Sequence, residues 1–344
     1  MNQQNRPPTI NDVAALAGVS KRTVSRVINN SEKVNDKTRA RVQKVIEELN
    51  FKPNRHARGL AARRSYLIGL IYDEPSLFIN SIQKGILSIC SDAGYELVVH
   101  VSPWHSDQLI DEITAFVSRS HLDGVIILPP VSEIGEVGAV LSEAGYPCVQ
   151  FTSDVGDEPW KMVVSDYQPA IDELTRHLVD LGHRDIGFIS GPSDRVASQK
   201  RHECFIKALQ THGLELRPEW TRDGGFTFEG GMVAARDILT SERRPTAIFA
   251  ANDEIAFGVM NVAHELGLKI PDDLSLIGFD GSRFSTFVVP SLSTVIRDTD
   301  AMARLGTQKL LALIEEGPEA ARVYESVVSP SFVSRESTGP VPAG

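Results

Sequence analysis

The stretch VSKRTVSRVI, residues 19–28, decides how this chain is read. It sets three cations among small and β-branched residues in a protein whose formal net charge is −10. At 3.6 residues per turn, Val24, Val27 and Ile28 share one helical face. Lys21, Arg22, Ser25 and Arg26 fall on the other, with Arg22 and Arg26 one turn apart. Ser20 can cap the helix start through its hydroxyl, and Gly18 just upstream allows a tight turn. The result is a short helix anchored on one side with a basic edge. A solvated face is the ordinary fate of Lys and Arg, so the neighbouring sequence has to decide.

Upstream, Thr9 followed by Asp12 makes a capping box with Asp in place of the usual Glu or Gln. Val13, Leu16 and Ala17 then give an apolar face to a first short helix, and Gly18-Val19 is the turn. After the polar loop NSEKV, Asn35 can cap a third helix whose face is Val42, Val45, Ile46 and Leu49. Three short helices with a Gly-containing turn between the first two are a helix-turn-helix. In that geometry the second helix enters the major groove, where Lys21 or Arg22 can donate to guanine O6 and N7. Lys33, Lys37, Arg39 and Lys52 are expected to touch phosphates or nothing. Charge supports a DNA partner: residues 1–64 carry 14 Lys and Arg against 5 Asp and Glu, whereas the remainder holds 21 against 40. A basic module joined to an acidic body meets a polyanion with one part only.

At 344 residues the chain has room for two or three domains. The N-terminal MNQQNRPPTIN has no apolar h-region, and no run approaches the roughly 18 apolar residues of a membrane span. Cys90, Cys148 and Cys204 lie far apart without metal spacing, which predicts reduced core thiols. No cofactor or metal is expected, no membrane partner, and a cytoplasmic location. Past the headpiece, Pro53 ends what precedes it and Asn54 can cap RHARGLAAR. That helix would be about nine residues, shorter than the ~12–15 that are marginal alone. Gly59 inside it costs roughly 1 kcal/mol more. Its folding should therefore depend on something packing against it.

From residue 66 the pattern changes to short apolar runs separated by amphipathic stretches. YLIGLIY (66–72), YELVVHV (95–101), DGVIILPP (123–130), PCVQF (147–151), MVVSD (162–166), DIGFISG (185–191), TAIFAAND (246–253) and LSLIGFD (274–280) read as buried parallel strands. Residues 79–93, 168–181, 196–212 and 254–266 supply crossover helices. This alternation predicts a doubly wound α/β architecture, with ligands outside the carboxyl ends of the strands.

The run DVAALAGVSKRTVSRVIN resembles the headpiece of the lactose repressor family of bacterial regulators (LacI/GalR), and EELNFKPNRHARGLA resembles its third-helix end and hinge. DLGHRDIGFISGP, PTAIFAANDEIAFG and LSLIGFDGS match the family's body, which is related to the periplasmic sugar-binding proteins. The resemblance implies a helix-turn-helix headpiece over 1–52, a hinge helix over 53–64 and a two-subdomain body of periplasmic-binding-protein type over 65–338, with a tail at 339–344. The subdomains would be about 65–161 with 291–324, and about 162–290 with 325–338, joined by crossovers near 162, 290 and 325 around a cleft. The implied DNA-facing residues are Thr9, Ser20, Lys21, Arg22, Thr23, Ser25, Arg26 and Asn29, continued by Asn54, Arg55, His56 and Leu60. Leu60 would be an apolar wedge between base pairs of the minor groove, with contact to the body as its alternative. Cations at both 21 and 22 depart from the lactose repressor itself and leave the operator sequence open.

The resemblance also implies effector contacts at Arg201, Phe226, Asn252 and Asp280, with Asp73, Phe78 and Arg297 as weaker candidates. An Arg fork, carboxylates, an amide and a flat ring suit adjacent sugar hydroxyls and an apolar C–H face. Plainer alternatives are an N-cap for Asn252, a turn former for Asp280 and a surface salt bridge for Arg201. The fourth strand ends in Phe151-Thr152 where the lactose repressor has an Asp contact, so Thr152 marks a departure. The expected protein is a sequence-specific regulator, a repressor of carbohydrate-utilisation genes. It would act as a homodimer on double-stranded operator DNA under control of a mono- or disaccharide. A purine or other effector is the alternative, and a sugar-binding protein without regulatory role a more distant one. Against an enzyme, there is no G-x-x-x-x-G-K-[ST], G-x-S-x-G or H-E-x-x-H. Asp253-Glu254, adjacent at a helix start, is explained by the helix dipole.

Overall fold

The computed structural model describes residues 8–28, 31, 33–51 and 64–342. The chain divides into two compact units, residues 1–66 and 67–344.

In the first unit, α1 (Ile10–Ala17), α2 (Lys21–Ile28) and α3 (Asp36–Glu48) enclose a small core of Val13, Ala14, Ala17, Val24, Val27, Val34, Val42, Val45 and Phe51. The Asp12 carboxylate accepts from both the Thr9 backbone N–H (2.8 Å) and its hydroxyl (2.7 Å). Gly18 ends α1 with φ 61°, a conformation that suits glycine. Ser20 accepts from the Thr23 N–H at 3.1 Å, and Asn35 from the Thr38 N–H at 2.9 Å. One expectation fails. Leu16 is 66% exposed, and Ala14 takes its place inside. At about 100° per residue, positions 13, 14 and 17 span a single arc and position 16 lies about 60° outside it.

The second unit contains two six-stranded sheets. The first is built from β1 (Leu67–Tyr72), α4 (Leu77–Asp92), β2 (Glu96–Val101), α5 (Leu109–Arg119), β3 (Gly124–Ile127), α6 (Gly135–Glu143), β4 (Cys148–Thr152) and β5 (Met162–Ser165). The second follows with α7 (Gln168–Asp180), β6 (Ile186–Ser190), α8 (Val196–Thr211), β7 (Thr221–Asp223), α9 (Phe228–Leu239), β8 (Ala247–Ala250), α10 (Asp253–Glu265), β9 (Ser275–Asp280) and β10 (Ser293–Ile296). The chain then returns through α11 (Thr299–Glu315), α12 (Pro318–Ala321) and β11 (Val327–Val328), and crosses again to β12 (Ser331–Val333). The strand orders are β11-β5-β4-β3-β1-β2 and β12-β10-β9-β8-β6-β7. All pairs are parallel except β10 with β12. The continuous apolar runs sit inside because helices cover both faces. β2, expected buried, is instead a half-exposed edge strand.

The three crossings between sheets fall at 166–167, 297–298 and 329–330, each a few residues beyond the expected 162, 290 and 325. β5 and β11 therefore belong to the first sheet and β10 to the second. An apolar run shows that a strand is buried, not which sheet it pairs with. α11 packs on α4 so closely that a Cβ at Gly85 would lie 2.6 Å from that of Ala303. Lys309 of α11 is fully buried and donates to Pro159 O (3.2 Å), Met162 O (2.8 Å) and Ser326 Oγ (2.7 Å). Burial lowers its pKa to about 8. The segment expected as a tail is docked in part: Gly339 O lies 3.0 Å from His183 Nε2, and the Val341 N–H donates to Leu181 O at 2.9 Å.

Candidate functional site

Each unit presents a candidate site. In the headpiece, Val24 and Val27 anchor α2 and leave Lys21 and Arg22 exposed on its first turn. No acidic residue sits in that turn. Thr9, Ser20 and Thr23 use their hydroxyls internally, since Ser20 Oγ lies 2.9 Å from Thr23 Oγ1. Ser25 and Arg26 are half-buried. Arg39 donates to Ser31 O at 2.8 Å, which steadies the loop before α3. Asn29, Asn54, Arg55, His56 and Leu60, with nearly all of the expected hinge, lie outside the described residues.

In the second unit, a cavity of about 270 Å³ opens where the carboxyl ends of both sheets face each other. Its wall residues follow strands in turn: Asp73 after β1, Glu133 after β3, Ser153 after β4, Asn252 after β8, Asp280 ending β9 and Arg297 after β10. Arg201 projects from α8 and is only 3% exposed. It donates to Ala251 O at 2.5 Å and lies 3.5 Å from Asp280 Oδ1. Its guanidinium carbon stands 4.0 Å from the centroid of the Phe279 ring. Arg297, 8% exposed, also lies 3.5 Å from Asp280 Oδ1 and donates to Ser165 Oγ at 3.4 Å. Phe78 lies beneath it at 3.7 Å, and the Tyr167 ring is near both guanidiniums at 5.0 and 5.7 Å.

Several contacts run from one sheet's side of the cleft to the other. Arg195 reaches Asp73 at 2.9 Å while stacking on Trp104, and Lys200 reaches Asp154 at 3.4 Å. Glu254, half-buried on the cleft wall, faces the Leu77 backbone at the start of α4. Burial raises the Glu254 pKa, and pushes that of Glu133 up to about 7 against the pull of Arg297. Asp253 is buried beneath the pocket, accepting from Thr294 Oγ1 and the Ser282 N–H at 2.6 Å each, and burial pushes its pKa up to about 7 as well.

Of the eight effector positions that the resemblance implies, Asp73, Phe78, Arg201, Phe226, Asn252, Asp280 and Arg297 line this cavity and Thr152 does not. Thr152 is the last residue of β4, and its hydroxyl accepts from the Asp154 N–H at 3.1 Å. Ser153, one position on, lines the wall and lies 2.9 Å from the Tyr167 hydroxyl. Asn252 does cap α10, accepting from the Ile255 N–H at 2.8 Å, and its amide donates to Phe226 O at 3.0 Å. It thereby positions Phe226, whose φ is 58°. Arg201 is not a surface salt bridge. Glu133, Ser153, Tyr167 and Arg195 were not anticipated, although the rule that ligands sit past strand ends points at the first two. Among the described residues, no cluster of His, Cys, Asp or Glu is placed to hold a metal, and no helix is long and apolar enough to cross a membrane.

A small helix-turn-helix with a cationic helix, followed by two doubly wound sheets around a polar cleft, defines a ligand-responsive DNA-binding regulator. Residues 9–54 match the family model for bacterial regulatory proteins of the lacI family, and residues 175–338 that for a periplasmic binding protein-like domain. The chain is 33% identical over 339 residues to a probable HTH-type transcriptional repressor, ExuR, of Bacillus subtilis (strain 168), covering 96% of this chain and 98% of that one. It superposes on a lac repressor dimer bound to operator and the anti-inducer ONPF with a TM-score of 0.80, at 29% identity over 97% of this chain and 100% of that one. Against a transcriptional regulator CelR–cellobiose complex the TM-score is 0.70, at 29% identity over 96% and 99%. The chain belongs to the lacI family of bacterial regulatory proteins. It is a DNA-binding transcriptional repressor with an effector-binding domain, not an enzyme.

Proposed function

We propose that this repressor acts as a homodimer on a two-fold operator, with α2 of each subunit in the major groove, and that a saccharide bound in the cleft of the second unit controls its operator affinity. One observation carries the ligand part of this reading. Two buried guanidiniums, a shared carboxylate and aromatic rings converge in a cavity of about 270 Å³. That is just below the roughly 300–1,000 Å³ of drug-sized sites and suits a ligand of one or two rings. The CelR–cellobiose complex supports a sugar in the corresponding fold. In this proposal Arg201, Arg297 and Asp280 bind hydroxyls or charge, Phe78 and Phe226 meet the ring face, and Asn252 holds Phe226 in place. Lys21 and Arg22 choose bases, while other headpiece cations meet phosphates. Such a protein works in the cytoplasm, where the chromosome is. A two-fold operator calls for a two-fold protein. A thermal-shift screen of sugars, followed by operator footprinting with and without the hit, tests the reading. A stabilising sugar that leaves the footprint unchanged at saturation refutes it.

A further inference from the structure

Resting on that reading of the cleft, we infer that the effector is a sugar acid, a single-ring sugar whose carboxylate is taken by Arg201 and Arg297. The argument is a charge balance. Two guanidiniums more than nine-tenths buried face one carboxylate, Asp280, at 3.5 Å each, the outer limit of a hydrogen bond. Neither Arg201 Nε nor Arg297 Nε has a hydrogen-bond partner among the described residues.

The other acids along the wall do not cancel this excess. Asp73 is engaged by Arg195 at 2.9 Å, Glu74 is exposed at the rim, and Glu254 makes no ion pair with Arg201 or Arg297, which both pair with Asp280. Glu133 lies closest in role, but burial brings its carboxyl to about 7, so near neutrality much of it is uncharged. Its Oε1 also lacks a partner. Among the described residues Asp280 is the one carboxylate paired with these two guanidiniums, so the pair is under-compensated, a costly arrangement that a ligand anion would relieve.

The chemistry of that ligand follows. A planar guanidinium fork matches a carboxylate. A phosphomonoester, at about −1.5 to −2, would overshoot beside Asp280 and Glu133. A neutral sugar would leave the excess in place. A monoanion near Glu133 raises that group's proton affinity further, so binding should take up protons near neutral pH.

The test is calorimetry on the full-length protein with D-galacturonate, D-glucuronate and D-gluconate against D-galactose, D-glucose and D-galactose 6-phosphate. We expect at least one acid to bind 30-fold or more tighter than its neutral counterpart, and its affinity to rise as pH falls from 8 to 6. Arg297→Gln should abolish the preference for the acid. Glu133→Gln should keep the preference but weaken the pH dependence, leaving only what Glu254 contributes, which guards the test should Arg297→Gln fail a thermal-melt check. A neutral sugar or the 6-phosphate binding as tightly as the best acid, or no binding by any of the three acids, overturns the carboxylate assignment. An acid whose affinity survives Arg201→Ala would instead overturn the cleft reading beneath it.

Discussion

Gly191, in the loop between β6 and α8, gives the sharpest test of how the pocket is built. A Cβ there would lie 2.2 Å from Phe226 Cζ and 2.4 Å from both Cε atoms. Carbon–carbon contacts settle at about 3.5 Å or more, so Gly191→Ala requires the ring tip to move by roughly 1.3 Å. The Phe226 backbone has little room to yield. Its φ is already 58°, and its carbonyl is tied to the Asn252 amide, itself fixed as the cap of α10. The ring must therefore swing from its rotamer, costing about 0.5–1.5 kcal/mol, with overpacking bringing the total to about 1–3 kcal/mol. A displacement near 1 Å in a preorganised site can cost on the order of a hundredfold. Gly191→Ala should thus weaken the best ligand of the sugar and sugar-acid panel by roughly ten- to a hundredfold in calorimetry, with a modest loss in thermal stability. Phe226→Leu should relieve most of that strain, so the stability effects of the double variant should not add. Unchanged ligand affinity in Gly191→Ala would refute the claim that Phe226 forms the ligand's platform.

Arg22→Ala should weaken operator binding by about 1–3 kcal/mol and relax preference at one base pair per half-site, as read by gel shift on a randomised operator; uniform weakening at every position would make it a phosphate contact. Arg201→Ala should reduce ligand affinity by at least a hundredfold, because it strips a buried, hydrogen-bonded charge from the site, and calorimetry with unaltered affinity would return Arg201 to a purely structural role. The buried Asp253 binds its proton more tightly folded than unfolded, so its contribution to stability should fall as pH rises from about 4 to about 7. Asp253→Asn keeps an acceptor for the Ser282 N–H and a partner for Thr294, and denaturation at pH 5 and pH 8 should show a flatter pH dependence than the parent protein; an identical slope argues against the assignment.

The parts of this fold legible in the sequence are those that repeat a physical signal along several residues. LIGLIY and SLIGFD announce buried strands because both faces are covered. The short strands β7, β11 and β12 span two or three residues and carry no such run. β10 hides its identity behind buried polar residues, Ser293 and Thr294, whose hydroxyls find partners only in three dimensions. Arg201, Asp280 and Arg297 could be named in advance by resemblance. That the two arginines share one carboxylate could not, because it depends on where α8 and the second crossing meet β9. Glu133 was invisible for a similar reason: its altered proton affinity comes from burial, which no local pattern reveals. Thr152 falls one residue short of the cavity wall, because the lining position, Ser153, lies just past the strand rather than at its end.

Arg297 lies within the second crossing, and its hydrogen-bond partner Ser165 ends the strand that leads into the first. Arg195 and Asp73, by contrast, meet across the jaws of the cleft. The two arginines therefore sit at opposite ends of the cleft, one among the crossings and one at its rim. Under the proposed reading of the cleft, a ligand held by Arg297 would load the crossings directly, whereas the Arg195–Asp73 pair ties the two sides together at the rim.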